Sequence, residues 1–306
     1  LGQLYVVAFL TGTLSVLFYV SYSTLFVSLV SRSEYLEANA LLNGSRALSF
    51  VGGPSLGGVL VQVFSAPGAL VADAVSFLAS AFALRSIRPV EPPTEEAQEG
   101  HLKAGIRYLW RSPIIRASLL ATATINFFNF IFWALFLLYA TRTLDVRPGL
   151  LGPVLGAASV GGVLGSIVTG RLSRRIGVGP AFALGCVLFP APLVLVPLAG
   201  GTEWSVLAFL FAAEFLSGLG VMVLDITAAS IKAALVPDRL RARVSGAYMV
   251  VNYGVRPVGS LVGGALGTWV GLRTALWIGS AGAIVGALWL LPSPLLRLRE
   301  LPDVED

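Results

Sequence analysis

Charged residues are scarce in this chain of 306 residues, since only 12% are Asp, Glu, Lys or Arg. A soluble domain carries about 25% charged residues, so this chain has about half the usual fraction with which to form a water-facing surface. Hydrophobic residues make up 56% of the chain, and the mean hydropathy is +0.83. Several apolar runs reach the roughly 20 residues that a membrane-spanning helix needs, without strand-like alternation. The composition therefore predicts an all-α polytopic membrane protein.

Residues that support enzymatic chemistry are also rare. The single cysteine, Cys186, excludes an internal disulfide, and the single histidine, His101, excludes a His/Cys metal cluster and a Cys–His dyad. The two lysines, Lys103 and Lys232, do not follow a glycine-rich phosphate loop. The sequence thus predicts no enzyme, no metal site and no cofactor.

The apolar runs predict nine membrane spans, at about residues 4–30, 40–63, 68–87, 116–141, 150–170, 178–199, 204–236, 244–270 and 273–291. Fifteen Lys and Arg residues lie in one set of alternate loops and the C-terminal tail, whereas three lie in the other set. By the positive-inside rule the first set is cytoplasmic. We therefore expect a multi-pass protein of the inner (plasma) membrane with a cytoplasmic C-terminus. Its partner is the lipid bilayer and not a nucleic acid, despite the net charge of +5.

An internal repeat links the two ends of the chain. Residues 28–58 align without gaps on residues 234–264, an offset of 206. Spans one to three are thus copies of spans seven to nine. Copies of spans four to six would lie roughly 90 residues upstream of residue 1. We expect a protein of twelve helices, monomeric when full length, of which this chain holds helices 4 to 12; a genuine nine-span protein is the alternative.

Two tandem six-helix halves joined by a cytoplasmic loop resemble the major facilitator superfamily. GRLSRRIG at 170–177 is similar to the second-half copy of the family's loop motif, which reads glycine, three residues, Asp-Arg, one residue, glycine. Gly170, Arg175 and Gly177 match this motif, whereas Arg174 stands where the motif usually has Asp. A charge relay through that Asp is therefore not expected in this half.

A second resemblance concerns the direction of transport. GPSLGG at 53–58 is similar to the end of the family's antiporter motif on the fifth helix of exporters, with Gly53, Pro54, Gly57 and Gly58 at the matching positions. Residues 71–81 and 104–120 are similar to the sixth helix and central loop of one branch of the family. That branch contains enterobactin-type siderophore exporters and macrolide efflux pumps, so the resemblance implies export.

The resemblance also implies a division of the chain. Residues 1–88 would be the remainder of the N-terminal six-helix half, and residues 116–293 the C-terminal half. Residues 89–115 would form a cytoplasmic linker with an interfacial helix, because a proline-rich acidic stretch precedes a short basic and aromatic one. Residues 294–306 would be a cytoplasmic tail.

Acidic residues inside a predicted span are costly, and each is a candidate functional site. Glu214 lies near the middle of its span, and Asp225 and Lys232 follow it at spacings that return to the same helical face. We interpret Glu214 and Asp225 as candidates for proton coupling, because a carboxylate exposed alternately to two sides can load and release protons. Glu214 could also contact a cationic group of the substrate, and a structural brace is its alternative role. For Asp225 and Lys232 together we expect an ion-pair network at a cytoplasmic gate, with solvated helix-end charges as the alternative.

Candidates for the substrate cavity come from other spans. Asn126, Asn129 and Trp133 fall at i, i+3 and i+7, one face of a helix, and offer hydrogen bonds and a stacking surface. Arg46 and Arg256 flank the two glycine-rich stretches and could bind an acid across the bundle or an anionic substrate group. Polar side chains also join membrane helices to each other, which is the alternative role.

Together these features predict a secondary active transporter with proton-coupled efflux of a small amphiphilic compound, such as a drug, a macrolide-like or a siderophore-like molecule. Alternating access between two helix bundles would move the substrate, with the proton as coupling ion. A major facilitator importer of a nutrient is the alternative, followed by a membrane scaffold that transports nothing.

Overall fold

The computed structural model of the chain describes residues 35–87 and 101–299, together with eight single positions between 10 and 29. Most of the predicted span 4–30 therefore lies outside the described residues. The side chains of Arg46 and Pro54 and the surroundings of Gly58 also lie outside what the structure describes. The roles predicted for these three residues stay predictions.

The described residues form helices joined by short connections and contain no strand, which confirms the all-α fold class. The main helices are α1 (Tyr35–Arg85), α2 (His101–Arg111), α3 (Pro113–Arg142), α4 (Pro148–Ile176), α5 (Val178–Leu188), α6 (Glu203–Leu235), α7 (Asp238–Trp269) and α8 (Leu272–Val285). Shorter turns of helix extend α5 and α8 and precede the tail, at Ala191–Val194, Leu195–Leu198, Gly286–Leu290 and Pro294–Arg297.

Six segments among the described residues are long and apolar enough to cross a membrane: Pro67–Arg85, Pro113–Arg142, Pro148–Ile176, Val178–Leu198, Glu203–Leu235 and Leu272–Leu290. The first belongs to α1, which Ser65 divides because its φ of 65° is not helical. This break lies between the predicted spans 40–63 and 68–87. Helix α7 has 32 residues but is outside this set of six, because polar side chains such as Asn252 and Arg256 lower its hydropathy.

The chain divides into two compact units, residues 1–53 with 60–97, and residues 54–59 with 98–306. In the second unit α3 packs against α7 and α8, while α6 packs against α4 and α5. Two apolar clusters form its core. Helix α3 contributes Ile115 and Ile125 to one cluster, and Phe132 and Tyr139 to the other. The polar part of α3 lies between the two clusters.

Helix α2 is attached to the connection between α6 and α7. The hydroxyl of Tyr108 donates a hydrogen bond to the carbonyl of Leu235, the last residue of α6. Burial raises the pKa of Tyr108, which keeps this hydroxyl protonated as a donor. A Cβ at Gly105 would lie 2.9 Å from the backbone of Arg243, so the two backbones are in close contact. With Leu109 buried, α2 presents an apolar face to the bundle, in the segment where the sequence predicts an interfacial helix.

Candidate functional site

A cavity of about 750 Å³ lies among α3, α6 and α7. Its wall combines amide, hydroxyl, charged and aromatic side chains with apolar ones. The lining residues are Thr122, Asn126, Asn129, Phe130, Trp133, Phe189, Val221, Leu224, Asp225, Ala228, Lys232, Ser245, Tyr248, Met249, Asn252, Tyr253 and Arg256. Sites for small molecules are typically clefts of roughly 300–1,000 Å³ with apolar walls and a few placed polar groups. This cavity has both the size and the mixed lining of such a site.

A chain of hydrogen bonds joins α3 to α7 along the cavity wall. Nε of Arg256 donates to Oδ1 of Asn126 at 3.0 Å. Nδ2 of Asn126 donates in turn to Oδ1 of Asn252 at 3.1 Å, and to the carbonyl of Thr122 at 2.9 Å. Asn126 therefore acts as acceptor and donor at once, and it orients both α7 side chains.

A second polar group lies further along the same two helices. The buried hydroxyl of Tyr248 lies 2.7 Å from Oγ1 of Thr122 and 3.1 Å from Oγ of Ser118. Nζ of Lys232, from α6, lies 4.3 Å from the centre of the Tyr248 ring. Such a cation–π contact contributes about 0.5–2 kcal/mol, depending on solvation. Tyr248 thus links all three helices that surround the cavity.

Aromatic rings surround the second cation of the wall. The guanidinium of Arg256 lies 4.0 Å from the ring centre of Tyr253 and 5.1 Å from that of Phe130. Trp133 borders the same cavity and contacts Phe136 edge-to-face, with ring centres 5.3 Å apart. Both Lys232 and Arg256 are therefore held against aromatic faces.

Two buried acceptor atoms have no hydrogen-bond partner among the described residues, Oδ1 of Asn129 and Oε1 of Glu214. Asn129 lines the cavity, so a donor group of a bound molecule could satisfy its oxygen. An unsatisfied buried polar atom costs about 1–3 kcal/mol. Binding of such a donor would recover part of that cost.

The three charged residues predicted to share a face of α6 fall in two environments. Asp225 is exposed to the cavity, and Lys232 lines it one to two turns later. Glu214 is only 1% exposed and is not among the lining residues. One turn after it, a Cβ at Gly218 would lie 2.0 Å from the carbonyl oxygen of Ala158. Glu214 therefore lies where α6 packs tightly against α4.

Five residues that the sequence predicts as functional candidates line the same cavity. Asn126, Asn129, Trp133, Arg256 and Asp225 all line it. Sequence reasoning missed five further lining residues on α7, of which Tyr248, Asn252 and Tyr253 form the contacts described above. Tyr248 and Asn252 precede Arg256 at successive intervals of four residues, and Tyr253 follows one position later. That i, i+4, i+8 series was the signal that could have identified this face.

Comparison with known families identifies this architecture. A model of the Major Facilitator Superfamily matches residues 1–256 and again residues 119–306. The chain belongs to the Major Facilitator Superfamily. The resemblance read from the sequence motifs is confirmed at this level, and the polar cavity is a feature of a superfamily member that passes several times through the membrane.

Two relatives are similar along most of this chain. The multidrug efflux pump Tap of Mycolicibacterium fortuitum is 26% identical over 284 residues, which cover 87% of this chain and 64% of Tap. The uncharacterized MFS-type transporter YfiS of Bacillus subtilis (strain 168) is 24% identical over 308 residues, which cover 98% of this chain and 73% of YfiS. The chain therefore spans a little under two thirds of the length of Tap.

The segment that resembles the superfamily loop motif spans the end of α4 and the turn to α5. Gly170 is in the last part of α4, Arg174 and Arg175 are in its last turn, and Gly177 joins the two helices with a φ of +95°. A residue with a side chain is strained at that φ. The motif's final glycine is thus required by the turn itself.

The antiporter-type motif is only partly described. A Cβ at Gly53 or Gly57 would meet no described atom within 4 Å. In the second copy of the repeat, a Cβ at Gly259 would lie 2.3 Å from the carbonyl oxygen of Phe127, and one at Gly263 would lie 2.8 Å from that of Ile131. Close helix packing is therefore present in the second copy, and its presence in the first copy stays a prediction.

Proposed function

We propose that this chain belongs to a secondary active transporter that exports a small amphiphilic compound by alternating access. The observation that carries the proposal is the cavity of about 750 Å³ among α3, α6 and α7. Residues 1–88 would belong to one six-helix half and residues 116–293 to the other. Movement of the two halves would expose the cavity to each side of the membrane in turn.

The cavity wall supports a substrate that is partly apolar and partly polar. Trp133, Phe130 and Tyr253 offer flat apolar surfaces, while Asn129 offers an acceptor oxygen that has no partner among the residues the structure describes. Asp225 is exposed to the cavity. A drug, a macrolide-like or a siderophore-like compound combines both kinds of surface. Export is supported by the antiporter-type motif at 53–58 and by the similarity to Tap, a protein described as a multidrug efflux pump.

We assign proton coupling first to Asp225 and second to Glu214. A coupling carboxylate must exchange its proton with water from each side, and Asp225 borders the cavity that would open. It shares that cavity with Lys232 and Arg256, so a change in its charge alters the field on both cations. Glu214 stays a candidate because its Oε1 is buried without a partner among the described residues.

The test measures export from vesicles. Protein expressed from its whole reading frame is reconstituted in proteoliposomes, and transport of ethidium, a macrolide and a catechol siderophore is followed with and without a pH gradient. Wild-type protein should transport at least one probe in the export direction when the gradient is present. Asp225→Asn should abolish the response to the gradient, because the side chain keeps its size but no longer titrates.

Glu203→Gln is the matched control, because Glu203 lies on the same helix but is exposed and distant in sequence from the cavity residues. It should leave gradient-driven transport unchanged. Uptake in place of export would identify an importer, and transport that ignores the gradient in wild type would exclude proton coupling. If Glu214→Gln alone removes the gradient response, Glu214 replaces Asp225 as the coupling residue.

A further inference from the structure

A basic recess of about 450 Å³ lies where the α4–α5 turn meets the last described segment of the chain. Three arginines line it, Arg174 and Arg175 from the end of α4 and Arg299 from the segment after α8. We call it the arginine recess. Ser173 adds a hydroxyl group to the same wall. The recess is separate from the transport cavity, since the two share no lining residue.

Backbone hydrogen bonds hold the two sides of the recess together. The N–H of Val178 donates to the carbonyl of Arg299 at 3.2 Å, and the N–H of Gly179 donates to that of Leu298 at 2.8 Å. A Cβ at Gly179 would lie 1.8 Å from the carbonyl oxygen of Leu295, so only glycine allows this approach. The position of Arg299 relative to α4 is therefore built into the fold.

The charge of the recess is of one sign. Arg174, Arg175 and Arg299 are exposed, and none forms an ion pair within 4.0 Å with an acid that the structure describes. Guanidinium groups and a hydroxyl donate hydrogen bonds, and an arginine presents a planar fork that fits two oxygens of a phosphate. The chemistry of the wall thus matches a phosphate-bearing anion.

The location of the recess indicates where that anion comes from. The segments Pro148–Ile176 and Val178–Leu198 meet at it, and the apolar segment Leu272–Leu290 ends shortly before it. It therefore lies at the end of three helices that can cross a membrane, at the level of lipid headgroups. Basic pockets at this level on the cytoplasmic side attract anionic lipids, and each nearby Lys or Arg contributes about fivefold to the affinity.

We propose that the arginine recess binds the phosphate of an anionic phospholipid headgroup and holds it against the α4–α5 turn. The site depends on the membrane location of the chain and not on its substrate or its coupling ion. A failure of the transport assay would therefore leave this proposal intact. A failure of the lipid-binding test would likewise leave the proposed transport function intact.

The test uses the detergent-solubilised chain and measures its midpoint of thermal unfolding while phosphatidylglycerol is added. Phosphatidylcholine and inorganic phosphate, each at matched concentration, form the two comparison arms. Wild type should be stabilised by phosphatidylglycerol alone. Replacing Arg174, Arg175 and Arg299 together by Gln should raise the half-maximal lipid concentration on the order of 100-fold.

The matched control replaces three other exposed arginines, Arg107, Arg111 and Arg142, by Gln. It removes the same charge from the protein but leaves the recess intact, so the half-maximal concentration should change less than about threefold. If the recess variant does not fold, Arg299→Gln alone should still raise that concentration about fivefold. An equal loss in both triple variants would overturn the proposal, because it would show only a general effect of surface charge.

Three further results would also overturn it. Stabilisation by inorganic phosphate equal to that by phosphatidylglycerol would make the ligand a free anion. The sequence has four acidic residues at positions 300–306. If phosphatidylglycerol stabilises the protein only after these residues are neutralised, their carboxylates and not a lipid occupy the arginine recess.

Gly179→Ala keeps every arginine but displaces the tail, and it should weaken the lipid response as Arg299→Gln does. An unchanged response in Gly179→Ala would exclude a built site.

Discussion

Two helix contacts in the C-terminal unit join their helices in opposite ways. Between α4 and α6, which we call the glycine contact, a Cβ at Gly161 would lie 1.9 Å from the carbonyl oxygen of Phe215. A Cβ at Gly165 would lie 2.6 Å from that of Leu219. Between α3 and α7, which we call the polar contact, amide, hydroxyl and guanidinium groups form the hydrogen bonds around Asn126 and Tyr248.

The difference shows how one bundle can hold both a rigid wall and a cavity. In lipid, small residues let helix backbones pack closely, and polar side chains join helices by hydrogen bonds. The glycine contact leaves no space for a solute. The polar contact joins its helices through side chains that also line the cavity. Further along α7 the same helix pair changes character, since Gly259 and Gly263 bring α7 against the backbone of α3.

The largest effect is expected from filling the glycine contact. Gly161→Ala and Gly218→Ala place a methyl group within about 2 Å of a carbonyl oxygen, so the helices must separate. Overpacking typically costs about 1–3 kcal/mol, and we expect the upper end of that range where the added carbon meets backbone. The yield of folded protein and its thermal midpoint in detergent are the measurements.

Gly254→Ala is the control for these two variants, because a Cβ there would meet no described atom within 4 Å. It should leave stability unchanged or raise it by up to about 1 kcal/mol, as alanine favours a helix over glycine. Equal stability of Gly161→Ala and Gly254→Ala would mean that the glycine contact is not close-packed.

A smaller effect is expected from the polar contact. Asn126→Ala removes the acceptor of the Arg256 Nε–H and the donor to Asn252. The free energy of unfolding should fall by about 1–2 kcal/mol. In a double-mutant cycle with Asn252→Ala, the two losses should not add, because the residues share one hydrogen bond. Full additivity would show that the amides act independently and that the contact is held by packing alone.

The smallest effect is expected from the ion pair between the N-terminal ends of α4 and α6, which form the glycine contact. Nε of Arg147 lies 3.8 Å from Oε1 of Glu203, and both side chains are exposed. An exposed pair contributes about 0–1 kcal/mol, so Arg147→Gln should shift the thermal midpoint by less than either variant above. If Arg147→Gln lowered the thermal midpoint as much as Gly161→Ala, the α4–α6 contact would be stabilised by the ion pair and not by close packing.

The position of the polar residues within each helix could be predicted from the sequence. Asn126, Asn129 and Trp133 were placed on one face by their spacing, and the cavity contains all three. The same reasoning placed Glu214 on a face with Asp225 and Lys232, yet only the latter two line the cavity. Helical spacing determines the angle of a side chain around its own axis. It does not specify which neighbouring helix packs against that side chain at each position along the helix axis.

The sequence by itself determined the all-α membrane class, the superfamily and the helical faces that carry polar groups. The membrane class and the polar faces follow from composition, length and periodicity, which act within one segment at a time, whereas the superfamily was indicated by the internal repeat and by motifs that resemble those of its members. Only the tertiary structure decided that Tyr248 and Asn252 meet α3, that Glu214 is buried, and that Arg299 joins Arg174 and Arg175. Each of these depends on contacts between segments that are distant in the chain. It depends also on glycines, whose small size matters only where the backbone of another segment packs against them.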